Sequence, residues 1–393
     1  MNKPIDLPEQ HLIDAASLLG AGEAYPMASA VPPIFQTSLF TFDTYADMAE
    51  VYAGRSHQLI YSRGDNPTVM EFERLIAALE GAQAGRAFSS GMGAISATIL
   101  AFVAAGDRIV TIRNVYSDAY RLFEILLAKF GVTVDYVDGG DPAAVEAALP
   151  GAKLLYLESP SSMVFELQDI AALAAMAKAH GVVSAIDNSW ATPLFQKPIA
   201  HGVDLVIHAA SKYLGGHSDT VAGVVVGSAE HIARINAQSY AYLGAKLSPF
   251  EAWLLLRGMR SLPLRMPQHM KSGLVIAERL KGHAQVERVL HPVYSNHPGK
   301  ATLSGYGGLF SFEVSDAIDV PALVDALRLI RIGVSWGGPE SLVVPALAPL
   351  QLAKANCFSR FGISPRLVRL NIGIESPEAL WADLEQALHQ ARR

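Results

Sequence analysis

Apolar residues along the chain follow two spacings. Short, almost unbroken apolar runs at 108–112, 132–137, 153–157, 182–186, 204–208 and 222–226 read as strands buried on both faces. Between these runs, apolar residues recur at helical intervals. Phe72, Leu75, Ile76 and Leu79 share one face of a helix that Asn66 caps, Pro67 opens and Gly81 stops. Further helices are expected from Ser89-Ser90-Gly91-Met92-Gly93 to Ala105, and at 118–130, 142–149 and 169–180. Such alternation predicts an α/β fold, with a mostly parallel sheet covered by helices on both faces. After residue 249 the pattern changes. Helices at 249–266, 272–280, 321–329 and 377–391, with strands at 286–290, 309–314, 334–336 and 367–372, predict a smaller α+β domain. Residues 1–60 carry no long periodic segment and read as an arm lying against a neighbouring subunit. The expected organisation is therefore arm 1–60, large domain 61–255 and small domain 256–393.

Ligands of an open parallel sheet sit beyond the carboxyl ends of its strands. The chain places its reactive side chains there. The stretch VIHAASKYLGGHSD, 206–219, starts as a buried strand and delivers Lys212 just ahead of Gly215-Gly216. An amine so placed loses solvent, drops its pKa and can form a Schiff base. Asp187 ends the preceding strand. An acid and an amine at neighbouring strand ends suit a pyridinium aldehyde cofactor, one for the ring nitrogen and one for the aldehyde carbon. The turn at 89–93 offers free N–H groups at the positive end of a helix, a seat for a phosphate. It fits neither a Walker A loop nor a dinucleotide glycine spacing. Tyr116 follows a strand end and could stack on a flat ring. Arg369 lies inside an apolar strand, where it either meets a protein carboxylate or awaits that of a substrate. The substrate is favoured, since an enzyme of amino acids must hold that group.

Composition narrows the rest. With 51% hydrophobic and 17% charged residues, the chain is a well-buried globular protein. A net charge of −6 with interspersed signs argues against nucleic acid or an anionic membrane as partner. The most apolar segment, 94–105, is too short to span a bilayer, and the first residues lack the apolar core of a signal peptide. Cys357 is the single cysteine, which excludes an internal disulfide and fits a reducing cytoplasm. The histidines show no metal-ligand spacing, so no metal is expected.

The blocks YSRGDNPT at Tyr61, SSGMGA at Ser89, ESPSS at Glu158, AIDNSWATP at Ala185, SKYLGGHSD at Ser211, SWGGPESL at Ser335 and VRLNIGIE at Val368 carry a resemblance. From about Tyr25 to the last helix, the chain resembles the fold-type I pyridoxal-phosphate enzymes of cysteine and methionine metabolism. That family includes cystathionine β-lyase, cystathionine γ-lyase, cystathionine γ-synthase and methionine γ-lyase. The resemblance implies a seven-stranded large domain and pyridoxal 5'-phosphate as cofactor. It implies that Lys212 forms the Schiff base, that Asp187 pairs with the ring nitrogen and that Tyr116 stacks on the ring. Gly91, Met92 and Ser211 would hold the phosphate, with Tyr61 and Arg63 reaching it from the neighbouring subunit of a homotetramer. Arg369, with Ser335 and Trp336, would bind the substrate. Two residues before Lys212 the family often has a serine as an extra phosphate ligand, and here stands Ala210. Trp336 and ESPSS point towards the β-lyases, hence α,β-elimination of cystathionine. The NVYSDAYRLF block looks more like the γ-enzymes, and its Asp118 would suit a basic distal group such as a guanidine. The alternative is therefore γ-elimination or γ-replacement.

Overall fold

The computed structural model describes residues 25–393. The first part of the expected arm, and with it the expectation about a signal peptide, lies outside the described residues. The short apolar runs form β2 (Arg108–Ile112), β3 (Thr133–Val137), β4 (Leu154–Glu158), β5 (Val183–Asp187), β6 (Leu205–His208) and β7 (Gly223–Gly227), and β1 (Ala84–Phe88) precedes them. They make one seven-stranded sheet in the order β1-β7-β6-β5-β4-β2-β3. From β3 to β6 the pairs are parallel, while β7 runs antiparallel to both β6 and β1. The mostly parallel sheet expected from the pattern is thus present, and its central strands are buried on both faces.

Helices cover it. α1 (Pro67–Glu80) starts where the Asn66 side chain accepts the Thr68 N–H, and it ends at Gly81 with φ 73°. Phe72, Leu75, Ile76 and Leu79 are all buried, so the helical stripe faces the core as expected. α2 (Gly91–Phe102) follows β1, and α3 (Ile170–Ala179) leads from β4 to β5. The segment expected as one helix at 118–130 is a short α-turn, Ser117–Arg121, followed by wider turns at Leu122–Leu126 and tighter ones at Leu127–Phe130.

Two expectations for the second half are corrected. The helix read at 249–266 and the one read at 272–280 are instead α4 (Pro249–Met259) and α5 (Leu262–Lys281), with Pro267 inside the second. The break falls at Arg260-Ser261, and Arg265 holds it. That buried guanidinium donates to Ser261 Oγ, Gly258 O and Tyr213 O, tying the start of α5 to the segment that carries Lys212. A contact between distant segments decided the break, not the local propensity.

The second correction is the strand read at 334–336. The chain there is a loop, because Gly337 adopts φ 88° and cannot continue a ladder. Its flanks are β10 (Arg331–Ile332) and β11 (Leu342–Pro345). With β8 (Val286–Leu290), β9 (Leu309–Val314) and β12 (Leu367–Asn371), they form a five-stranded sheet in the order β10-β11-β12-β9-β8. This sheet has its own core of Phe310, Phe312, Leu370, Leu384 and Leu388, the last two from the final helix α6 (Pro377–Gln390). Among the described residues, no helix is long and apolar enough to cross a membrane.

Candidate active site

A cleft of about 430 Å³ opens between the carboxyl ends of the central parallel strands and the 334–340 loop of the second sheet. The residues expected at a site line it, except Tyr61, Arg63 and Asp118. The register explains the convergence. Glu158 pairs with Asp187 across β4 and β5, and Asp187 with Ile207 across β5 and β6, so three strand ends finish level.

The start of α2 forms the candidate phosphate seat. Ser90 Oγ accepts the Gly93 N–H at 2.9 Å, and Ser90 O accepts that of Ala94 at 3.2 Å. Among the described residues, the N–H groups of Gly91 and Met92 have no partner at the positive helix end. Gly91 must lack a side chain, because a Cβ there would stand 2.9 Å from Ala209 Cβ. Ser211 lines the cleft too, but its hydroxyl donates to Ala222 O at 3.1 Å and accepts from Ala222 N at 2.9 Å. Ala210 does not line the cleft. It is fully buried in the core, and the side chain facing the seat is Ala209. A hydroxyl at 210 would therefore not reach a phosphate, and the departure noted there removes no contact.

Asp187 is aimed by its neighbours. Its Oδ1 accepts Ser189 N at 2.9 Å and Ser189 Oγ at 2.6 Å, while Ser189 Oγ accepts Ala209 N at 2.6 Å. Oδ2 carries no hydrogen bond among the described residues and faces the cleft's ligand space. Burial raises the pKa of this acid, and the Ser189 bonds, His208 and Lys212 oppose that rise. Below it lies a pair that sequence reasoning missed. His208 Nε2 is 2.7 Å from Glu80 Oε1, both fully buried, and Asn188 Nδ2 donates to the same oxygen at 2.9 Å. Ser189 was missed as well, although its spacing two residues after an acid is that of an Asx turn.

Lys212 Nζ donates to Ser335 Oγ at 2.7 Å and lies 5.4 Å from the centre of the Trp336 ring. Burial and the nearby Arg369 lower its pKa to about 8, against the opposing pull of Asp187. Arg369 donates to Val334 O at 2.8 Å and has no carboxylate partner among the described residues. Burial lowers its pKa to about 10, so it stays charged and open to an anion. Tyr116 N–H donates to Glu158 Oε2 at 2.7 Å, and its hydroxyl donates to Asp118 Oδ2 at 3.0 Å. Burial, followed by Asp118, raises the phenol pKa. Burial and Asp187 likewise raise that of Glu158 well above the carboxylate range. Asp118 itself does not line the cleft; it is engaged by Tyr116 and lies 3.4 Å from Arg121. Ser218 and Glu340, hydrogen-bonded to each other at 2.5 Å, close the wall between the two sheets; they lie within the SKYLGGHSD and SWGGPESL blocks but were not singled out.

An acid with one free oxygen, an amine of lowered basicity, a helix end with two free N–H groups and an unpaired guanidinium thus meet in one cleft. These residues fit a pyridoxal phosphate and an amino-acid carboxylate. Known proteins with similar sequences agree. Residues 17–389 match the Cys/Met metabolism PLP-dependent enzyme family. The chain is 38% identical over 366 residues to an L-methionine gamma-lyase of Pseudomonas putida, covering 91% of this chain and 92% of that protein. It is 38% identical over 364 residues to a cystathionine beta-lyase of Lactococcus lactis subsp. cremoris, covering 91% and 93%. The crystal structure of a cystathionine gamma synthase from Xanthomonas oryzae pv. oryzae superposes with a TM-score of 0.88 at 35% identity, over 96% of this chain and 98% of that one. The chain belongs to the Cys/Met metabolism PLP-dependent enzymes, has their fold-type I architecture, and uses pyridoxal 5'-phosphate as its cofactor.

Proposed function

We propose that the enzyme is a carbon–sulfur lyase that cleaves cystathionine by α,β-elimination to homocysteine, pyruvate and ammonia. The observation that carries this reading is the state of the two candidate bases. Lys212 is a poorly solvated amine of lowered pKa, whereas the Tyr116 proton is held by Asp118 and its phenol is pushed away from ionisation. A β-elimination needs one C–H proton removed, a γ-elimination a second from Cβ. One available base suits the first.

When bound, the cofactor supplies an aldehyde that condenses with the substrate amine and a ring that accepts charge from Cα. The chain's residues do the rest. Gly91 and Met92 N–H groups, with Ser211, would hold the phosphate, and Tyr116 would cover the ring. Asp187 Oδ2 would keep a proton on the ring nitrogen. Arg369 grips the substrate α-carboxylate through its planar fork, beside Ser335 and Trp336. That grip orients the Cα–H bond towards Lys212 Nζ, which takes the proton and then returns it to the departing sulfur. Tyr61 and Arg63 lie outside this chain's cleft, and in this reading they reach the phosphate of a neighbouring copy within a homotetramer. Cys357 is free and buried, as suits a cytoplasmic enzyme.

The resemblance of the 114–123 block to the γ-enzymes and the methionine gamma-lyase relative favour one second reading, γ-elimination. Incubation with cystathionine separates the two. Pyruvate and homocysteine are expected; 2-oxobutyrate and cysteine would overturn the assignment.

A further inference from the structure

The cleft seats a phosphate but offers it no cation of its own. Its only basic lining residues are Lys212 and Arg369, and the proposed reaction uses both elsewhere. A phosphate monoester carries close to two negative charges at neutral pH, and a helix end returns only about half of one. The rest must come from outside this chain.

A second recess on the same molecule has the missing charge. It is lined by Arg63 and Lys246 together with Tyr61, Ser62, Thr37 and Ser38, and no carboxylate faces it. Arg63 donates to Ala241 O at 3.1 Å and stacks near the Tyr61 ring, so its position is fixed without an acid. The nearest acid in sequence, Asp65, is taken by Arg86 at 3.0 Å. The Lys246 side chain makes no hydrogen bond or ion pair among the described residues. Its backbone bridges Phe88, and Ala245 O accepts the Ser89 N–H at 2.8 Å, so it is anchored against the turn that leads into α2. Leu39, Ile60, Leu243 and Phe250, next in sequence to the lining residues, are exposed apolar side chains. A basic recess with an apolar rim is a surface made to be covered, and the anionic seat that lacks a cation is its complement.

We propose that Lys246 is a second charged group, beside Arg63 and the neutral Tyr61, that binds the cofactor phosphate of a second copy of this chain. The proposal rests on the shared-site reading above and adds to it a residue that the sequence analysis did not single out. Arg63 provides the planar fork and Lys246 the point charge that brings the phosphate close to neutrality.

The test titrates Lys246→Met apoenzyme with pyridoxal 5'-phosphate and, separately, with pyridoxal, which lacks the phosphate. Sedimentation of the same samples reports assembly. Affinity for the phosphate ester is expected to fall about tenfold or more, with pyridoxal binding unchanged. Lys246→Arg should restore most of the loss. Unchanged affinity for the ester, equal weakening of both ligands, or a Lys246→Arg protein as weak as Lys246→Met would overturn the proposal. So would a raised KM for amino acid at saturating cofactor with ester affinity intact, which would move Lys246 to the substrate. Arg63→Ala is the companion. If it weakens the ester and Lys246→Met does not, this inference alone fails; if neither does, the shared-site reading fails with it.

Discussion

Tyr116 and Asp118 are bound to each other, the phenol hydrogen donated to Oδ2 at 3.0 Å. Burial first, and then this carboxylate, hold the tyrosine in its neutral form. Replacing Asp118 by Asn keeps the hydrogen-bond acceptor and removes the charge. The phenol pKa is expected to fall back towards its ordinary 10.0, read by ultraviolet titration. Because the proposed elimination does not ionise Tyr116, kcat/KM on cystathionine should stay within about threefold. A collapse of turnover would mean that the tyrosine proton takes part.

Lys212 titrates at about 8 in the folded apoenzyme, against 10.5 for an ordinary lysine. Between those two values the unfolded chain binds more protons than the folded one, so stability contributed by this site rises with pH. Below about 8 the full cost of burying the ammonium is present; above 10.5 it is gone. Lys212→Met apoprotein should therefore unfold at higher denaturant than the parent at pH 7, and the gap should close as the pH approaches 10.5.

Loss of the amine should also abolish the chemistry. Lys212→Ala is expected to lower kcat by about 10²–10⁴-fold, the usual contribution of a placed general base, or by more. Circular dichroism should show an intact fold. Wild-type turnover in this variant would exclude the assigned role.

Arg369 has no carboxylate partner among the described residues, and under the proposed function a substrate carboxylate satisfies it. Arg369→Ala should raise KM and reduce kcat/KM by about 10–100-fold, the loss of a charge-assisted hydrogen-bond pair. An amine lacking the α-carboxylate should bind both proteins alike. Equal effects on both ligands would assign Arg369 to structure instead.

Gly91→Ala brings a methyl group to 2.9 Å from Ala209 Cβ. Either the start of α2 or the end of β6 must move, which costs about 1–3 kcal/mol as overpacking. A lower melting temperature and faster loss of cofactor on gel filtration are expected together. A fall in melting temperature alone would separate the helix end from cofactor binding.

The large sheet was legible because strands such as 204–208 and 222–226 are apolar on both faces, a pattern no surface element shows. Lys212 and Asp187 could be placed at the cleft because Asp187 ends one such strand and Lys212 follows four residues after the end of the next. What escaped depends on contacts between distant segments. The break after α4 is held by Arg265 reaching Tyr213 O, and no local preference announces it. The loop at 334–336 reads as a strand until the glycine after it adopts positive φ. The facing side chain near the phosphate seat is Ala209 and not Ala210, a one-residue shift that reverses which alanine meets the cleft. The Glu80–His208 pair joins residues far apart in sequence, and only the assembled sheet brings them into contact.

The contact between Gly91 and Ala209 has a last consequence. Ala209 is the first residue past β6, and the strand's next turn carries Lys212, so helix end and amine are mounted on one piece of framework. Under the proposed assignment, that framework works as a ruler. The span from phosphate to aldehyde is measured by the sheet, not by a movable loop, and substrates cannot stretch it. A cofactor analogue with one extra methylene between ring and phosphate should seat its phosphate and hold its aldehyde out of the amine's reach.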